Sequence, residues 1–152
     1  MTARVQDLVE LIEGLVAIEE QVAARILADY GDEVVVVPLR PASINPPAIF
    51  NDLRPSQMDA IDTLVDRDTV IVAARIVVPF TDLPANHWQL LRYADCFRHV
   101  ADPAFKDTSS PLGGAHVRRT GLQGAIDDIG GLTLLAIEFP IRARLDAANP
   151  AA

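Results

Sequence analysis

Cys96 and His99 stand three residues apart in a segment of helical periodicity, a spacing that can present two metal ligands from one helix face. His87 and His116 are the other imidazoles. Nothing pairs them in sequence, and structural zinc sites show two tight ligand pairs. The expectation is a half-buried thiol, a surface imidazole, no metal and no cofactor. Asp127 and Asp128 are adjacent, so in extended chain they point apart, whereas acid–base catalysis needs two carboxylates converging on one atom. A solvated turn accounts for them. "SSPLGG", residues 109–114, is rich in glycine but lacks the lysine and the preceding strand of a phosphate loop. No nucleophile elbow and no nucleophile–base pair can be assembled, so catalytic residues are not expected.

The charge that asks for an explanation is Arg75, set inside "VIVAARIVVPF", residues 70–80. The run alternates cleanly: Val70, Val72, Ala74, Ile76, Val78 and Phe80 share one face, and Ile71, Ala73, Arg75 and Val77 share the other. Both faces are apolar, which makes this a central strand. A lone buried charge is costly, so Arg75 needs a carboxylate or an exit to water. The second face is therefore expected to be only partly covered by its own chain. The carboxylate would come from the N-terminal helix or from an adjacent subunit.

Around this strand the 152 residues read as one domain, 1–152. Half the residues are hydrophobic and 22% are charged, an ordinary globular balance. Residues 4–30 form a long helix with an apolar stripe of Val5, Leu8, Ile12, Leu15, Val22 and Ile26, widened by Val9, Leu11, Val16 and Ile18. Thr2 is a plausible cap and Gly31 a plausible stop. That stripe either covers one sheet or packs partly on a neighbouring subunit. "EVVVVP" and "AIFNDL" are short strands separated by a proline-rich loop, 38–47. Residues 55–68 are either a short helix capped by Ser56 or a loop. A second helix follows Asp82, with Leu90, Leu91, Ala94, Phe97 and Ala101 inward and Gln89, Arg92, Cys96 and His99 outward. Residues 102–114 read as a breaker-rich loop. "AHVRRTGLQGAI" and "LTLLAIEFPIRARL" read as a hairpin turning at "DDIGG", with Leu135, Ile137, Phe139, Ile141, Ala143 and Leu145 on one face of the second strand and Glu138, Arg142 and Arg144 on the other. The fold class is α+β: an antiparallel or mixed sheet of four to five strands, packed by the long N-terminal helix and a second central helix.

The charge balance narrows the partners. The net charge is −8 and the isoelectric point is near 4.7, so the chain as a whole repels phosphate backbones. Of the 13 basic residues only Lys106 is lysine, and arginine suits planar contacts at interfaces. Arg118, Arg119, Arg142 and Arg144 form a candidate arginine patch on the hairpin. It is either a solvated edge that discourages aggregation or a partner surface. Asp59, Asp62 and Asp66 form an acidic cluster with Asp68, either a solvated face, a surface that keeps a polyanion from sticking, or the counterpart of the arginine patch on an identical subunit. The single cysteine fits a reducing compartment. No apolar run approaches the roughly 20 residues that cross a bilayer, so no membrane partner is expected.

In order and patterning, "VQDLVELIEGLVAIEEQVAARI", "PPAIFNDLRPS", "DTVIVAARIVVPF", "NHWQLLRYADCFRHVADPAF" and "GAIDDIGGLTLLAIEFPIRARL" resemble the tail terminator proteins of long-tailed (siphovirus-like) phages and related tailed particles. The match spans nearly the whole chain and contains no diagnostic motif. The resemblance implies an α+β subunit of a homohexameric ring that caps the tail tube and joins it to the head–tail connector or closure protein. DNA would pass through the lumen without specific binding. The protein would be made in the host cytoplasm and reside in the virion, at the tail or neck. It implies no catalytic or cofactor-binding residues. Arg75, the four hairpin arginines and Asp59, Asp62 and Asp66 are the candidate subunit or partner interface. The alternatives are another neck or tail component, such as a head-closure or tube subunit, and a small-molecule-binding regulatory α+β domain.

Overall fold

Helical periodicity ends at Gly31, whose positive φ of 74° suits a residue without a Cβ and whose N–H bonds the Leu27 carbonyl. The helix before it, α1 (Leu8–Tyr30), buries Leu11, Gly14, Leu15, Ile18, Glu19, Val22 and Ile26 and leaves Glu10, Glu13, Ala17, Glu20 and Ala24 in water. The computed structural model describes residues 8–53, 68–107, 112, 118–119, 121 and 123–145. The N-terminal end of the expected helix, including Thr2 and Val5, lies outside them, as does most of 55–68.

Six strands occupy five positions in one mixed sheet. They are β1 (Val35–Leu39), β2 (Ala48–Leu53), β3 (Asp68–Pro79), β4 (Arg118–Arg119), β5 (Gln123–Ile129) and β6 (Leu132–Leu145). The order is β1-β2-β3-β6, with β4 and β5 pairing in turn along the far edge of β6. Pro140 of β6 lies between their two registers, where a residue with no N–H cannot continue a ladder. All pairings are antiparallel except β1–β2. That parallel pair is joined by residues 40–47 alone, where a helical crossover is usual. The loop can be this short because it runs across the sheet: Ile44 packs on the second face, and a Cβ on Gly130 would lie 3.1 Å from the Ala42 carbonyl oxygen.

The strand faces fall as the alternation requires. Val70, Val72, Ala74, Ile76 and Val78 of β3, with Leu135, Ile137, Phe139, Ile141 and Ala143 of β6, face the helices in the main core. Ala48, Phe50, Val77, Ile129, Leu134 and Ala136 form a smaller cluster on the opposite face, beneath loop 40–47.

The second helix, α2 (Leu83–Lys106), differs from its sequence reading at several points. Asp82 holds the N-cap position without a side-chain cap bond. The Asn86 side-chain oxygen instead accepts from the Thr81 and Asp82 amides, at 2.9 and 3.0 Å. The helix also runs through Pro103, because Ala101 and Phe105 continue the buried stripe into the last turn. Residues 102–106 are thus helical, not part of a loop. Finally, Cys96 is buried, not outward. α2 packs against both the sheet and the neighbouring α1, so its buried arc is wider than one face; burial pushes the Cys96 thiol up. Leu91, placed on the inner stripe by periodicity, is exposed, and so is Trp88.

α1 meets the rest of the core through a small-residue contact. A Cβ at Gly14 would lie 2.7 and 2.8 Å from Cδ2 and Cγ of Leu112, which is fully buried. Gly14→Ala is expected to destabilise by roughly 1 kcal/mol. The overpacking cost of about 1–3 kcal/mol exceeds the helix-propensity gain of about 1 kcal/mol. Chemical denaturation checks the sign, since a solvent-exposed helical glycine would give the opposite one.

Candidate functional site

The hairpin turn is shorter than "DDIGG". Only Gly130 and Gly131 form it, at φ 59° and 82°, the positive values that a two-residue type I′ turn needs. Asp127 and Asp128 therefore belong to β5 and alternate across it. Asp128 is exposed, while Asp127 is 6% exposed on the second face. There it meets Arg75, whose Nη1 donates to Asp127 Oδ2 at 2.6 Å and whose Nη2 donates to Glu138 at 3.3 Å. The carboxylates sought by Arg75 come from the edge hairpin and not from α1.

Arg40, at the start of the loop, completes the cluster. It donates to both Asp127 oxygens, to Asp52 at 3.4 Å and to the Asp128 carbonyl at 3.2 Å, and its guanidinium lies over the Phe50 ring. Burial alone would raise the Asp127 pKa. The two guanidiniums outweigh it and hold that carboxyl below its ordinary value. Asp127 in turn holds Arg40 above its own. The arrangement staples loop 40–47 and the β5–β6 hairpin to the central strand. It closes the second face over Arg75.

The open face lies on the helix side. α2 packs against β3, β6 and β4, and β5 lies beyond it. The uncovered strip is a groove of about 820 Å³, rimmed by Phe80, Leu83, Leu91 and Ile126 and floored by Leu90 and Leu135. Ile126, in the middle of β5, is 68% exposed, and Leu91 is 51% exposed. Trp88, one residue beyond His87 of the groove wall, is 63% exposed. Among the described residues β5 pairs only with β6, and its outer edge runs beside the groove. β1, at the other edge, carries Pro38 and an irregular register there, which guards it against strand addition.

The arginine patch is divided. Arg118 and Arg142 are cross-strand partners, and Arg142 is exposed. Arg119 turns to the helix side, pairs with Asp102 of α2 at 3.0 and 3.1 Å and lies over Phe139. The side chains of Arg118 and Arg144, and all of Asp59, Asp62 and Asp66, lie outside the described residues. His99 is exposed, with its ring nitrogen 2.8 Å from the Asp95 carbonyl. The groove escaped sequence reading because a helix stripe shows which residues are apolar but not how far the sheet extends past the helix. Ile126, the one large apolar residue on its side of β5, was the available signal.

No helix among the described residues is long and apolar enough to cross a membrane. Comparison with family models and with curated proteins found no match.

Proposed function

We propose that this chain is a structural subunit that assembles with copies of itself into a ring, of the kind that terminates a phage-type tail and joins it to the head. The observation that carries this reading is the open groove beside the outer edge of β5, which pairs with no other strand among the described residues. Contiguous exposed apolar surface of this kind marks an interaction site. The proposed occupant is a neighbouring copy. A head-to-tail ring sets unlike surfaces against each other. On α1, Val9 and Leu27 are exposed and supply an unlike apolar surface. The net charge of −8 supports a lumen through which DNA moves without being gripped.

Light scattering and negative-stain imaging test the reading. Wild-type protein is expected to form rings with a central hole. Ile126→Asp together with Leu91→Asp is expected to yield monomers of unchanged circular dichroism, because both side chains are exposed and neither supports the core. A wild-type protein that stays monomeric at high concentration and ignores tail tubes would overturn it. The groove volume also lies within the range of small-molecule sites, roughly 300–1,000 Å³, which favours a regulatory ligand-binding domain as the second reading. A ligand-dependent rise in melting temperature of a monomer would select that reading.

A further inference from the structure

Beneath α1 a carboxyl group and an amide face each other with one hydrogen too few. Glu19 and Asn51 are both 0% exposed. Asn51 Nδ2 donates to Glu19 Oε1 at 2.8 Å and to the Pro38 carbonyl at 3.1 Å. Glu19 Oε2 and Asn51 Oδ1 are buried and have no hydrogen-bond partner among the described residues. Both are acceptors when Glu19 is ionised, so neither can satisfy the other. A proton on Oε2 makes it a donor and removes both deficits at once.

We propose that Glu19 is held as a neutral carboxylic acid in a cyclic acid–amide pair with Asn51, a proton-dependent latch that clamps α1 to β2. Among the described residues no charge is paired with an ionised Glu19 there. β1 has no titratable side chain. On β2, Asp52 is paired with Arg40. On α2, Tyr93 bonds Asp32 and Gln89, and Cys96 is a buried thiol. Burial pushes the Glu19 pKa from 4.5 to about 8, opposed only by the Asn51 hydrogen bond.

The sign of the pH dependence follows from proton counts. Between pH 4.5 and about 8 the folded chain keeps a proton on Glu19 that the unfolded chain has lost. Stability therefore falls as pH rises through that window and levels off above it. The Glu19 contribution to the unfolding equilibrium constant grows about tenfold per pH unit. Glu19→Gln keeps a donor and an acceptor in the same places and carries no ionisable proton. Equilibrium denaturation from pH 5 to 9 is expected to show the wild type losing stability relative to Glu19→Gln by this slope. Infrared difference spectra are expected to show a neutral-acid carbonyl band at pH 6 that is missing from the variant. Parallel stability curves, or a carboxylate band at pH 6 with no neutral acid, would overturn the latch. Should Glu19→Gln fail to fold, the infrared measurement on wild type, titrated from pH 5 to 9, still decides the matter.

Discussion

Replacing Asp127 with alanine lowers the unfolding free energy by about 3 kcal/mol at neutral pH, at the low end of the 3–5 kcal/mol lost when one partner of a buried ion pair is removed. The low end is expected for two reasons. Arg75 keeps its contact with Glu138, and Arg40 is 37% exposed and can return to water. What is lost is a carboxylate that touches both guanidiniums. Arg75→Leu is expected to couple strongly to Asp127→Ala: the double mutant should be more stable than the sum of the two single losses implies. The pH dependence has a definite sign. The Asp127 pKa is depressed in the folded state, so its contribution is fully present above its ordinary value of 3.8 and fades as pH falls towards the folded one. The advantage of the wild type over Asp127→Asn should therefore shrink in acid. Urea denaturation at pH 7 and in acid checks both points. A loss below 1 kcal/mol would mean that the cluster behaves as an exposed pair, like Arg25–Asp29.

The same cluster shows where sequence reading stopped. The alternation of 70–80 and 132–145 assigned the core residues of β3 and β6, from Val70 to Val78 and from Leu134 to Ala143, to their faces, because a period of two is a local property of the chain. It also required Arg75 to have a carboxylate or an exit to water, and a carboxylate is what it meets. It could not say which, since Asp127 and Glu138 lie 52 and 63 residues away. Asp127 was hidden further by its neighbours: four of the five residues of "DDIGG" are turn-forming, and only the pairing of Ile129 with Leu132 limits the turn to two glycines. Glu19 was hidden by its type. An acid on a helix is ordinarily solvated, and the amide that meets it comes from β2. The split of the arginine patch is of the same kind. Arg119 is claimed by Asp102 of α2, a partner 17 residues away that the pattern of the hairpin alone does not name.

Phe97→Ala is expected to destabilise the folded chain by about 3–5 kcal/mol, the range for truncating a buried phenylalanine. Its ring is fully buried and stacks on Phe139 of β6 at 4.1 Å between centroids, so the loss removes the main aromatic contact that seats α2 on the sheet. Arg119 lies over the same Phe139 ring, and the cavity would weaken that contact as well. Trp88 stands nine residues earlier on the same helix and is the larger side chain. Trp88→Ala is nevertheless expected to stay within about 0.5 kcal/mol in the monomer, because an exposed ring has little burial to lose. Its effect should appear in assembly, where the shoulder of the groove meets a neighbour. Trp88 is the chain's single tryptophan, so its fluorescence reports that surface alone. A blue shift that grows with protein concentration, and disappears in the Ile126→Asp and Leu91→Asp variant, is expected of a docking face. A spectrum independent of concentration, from protein that forms rings, would move the interface elsewhere. The two aromatic residues thus separate the fold from its use: one measures how α2 is held down, the other what α2 and the hairpin leave open.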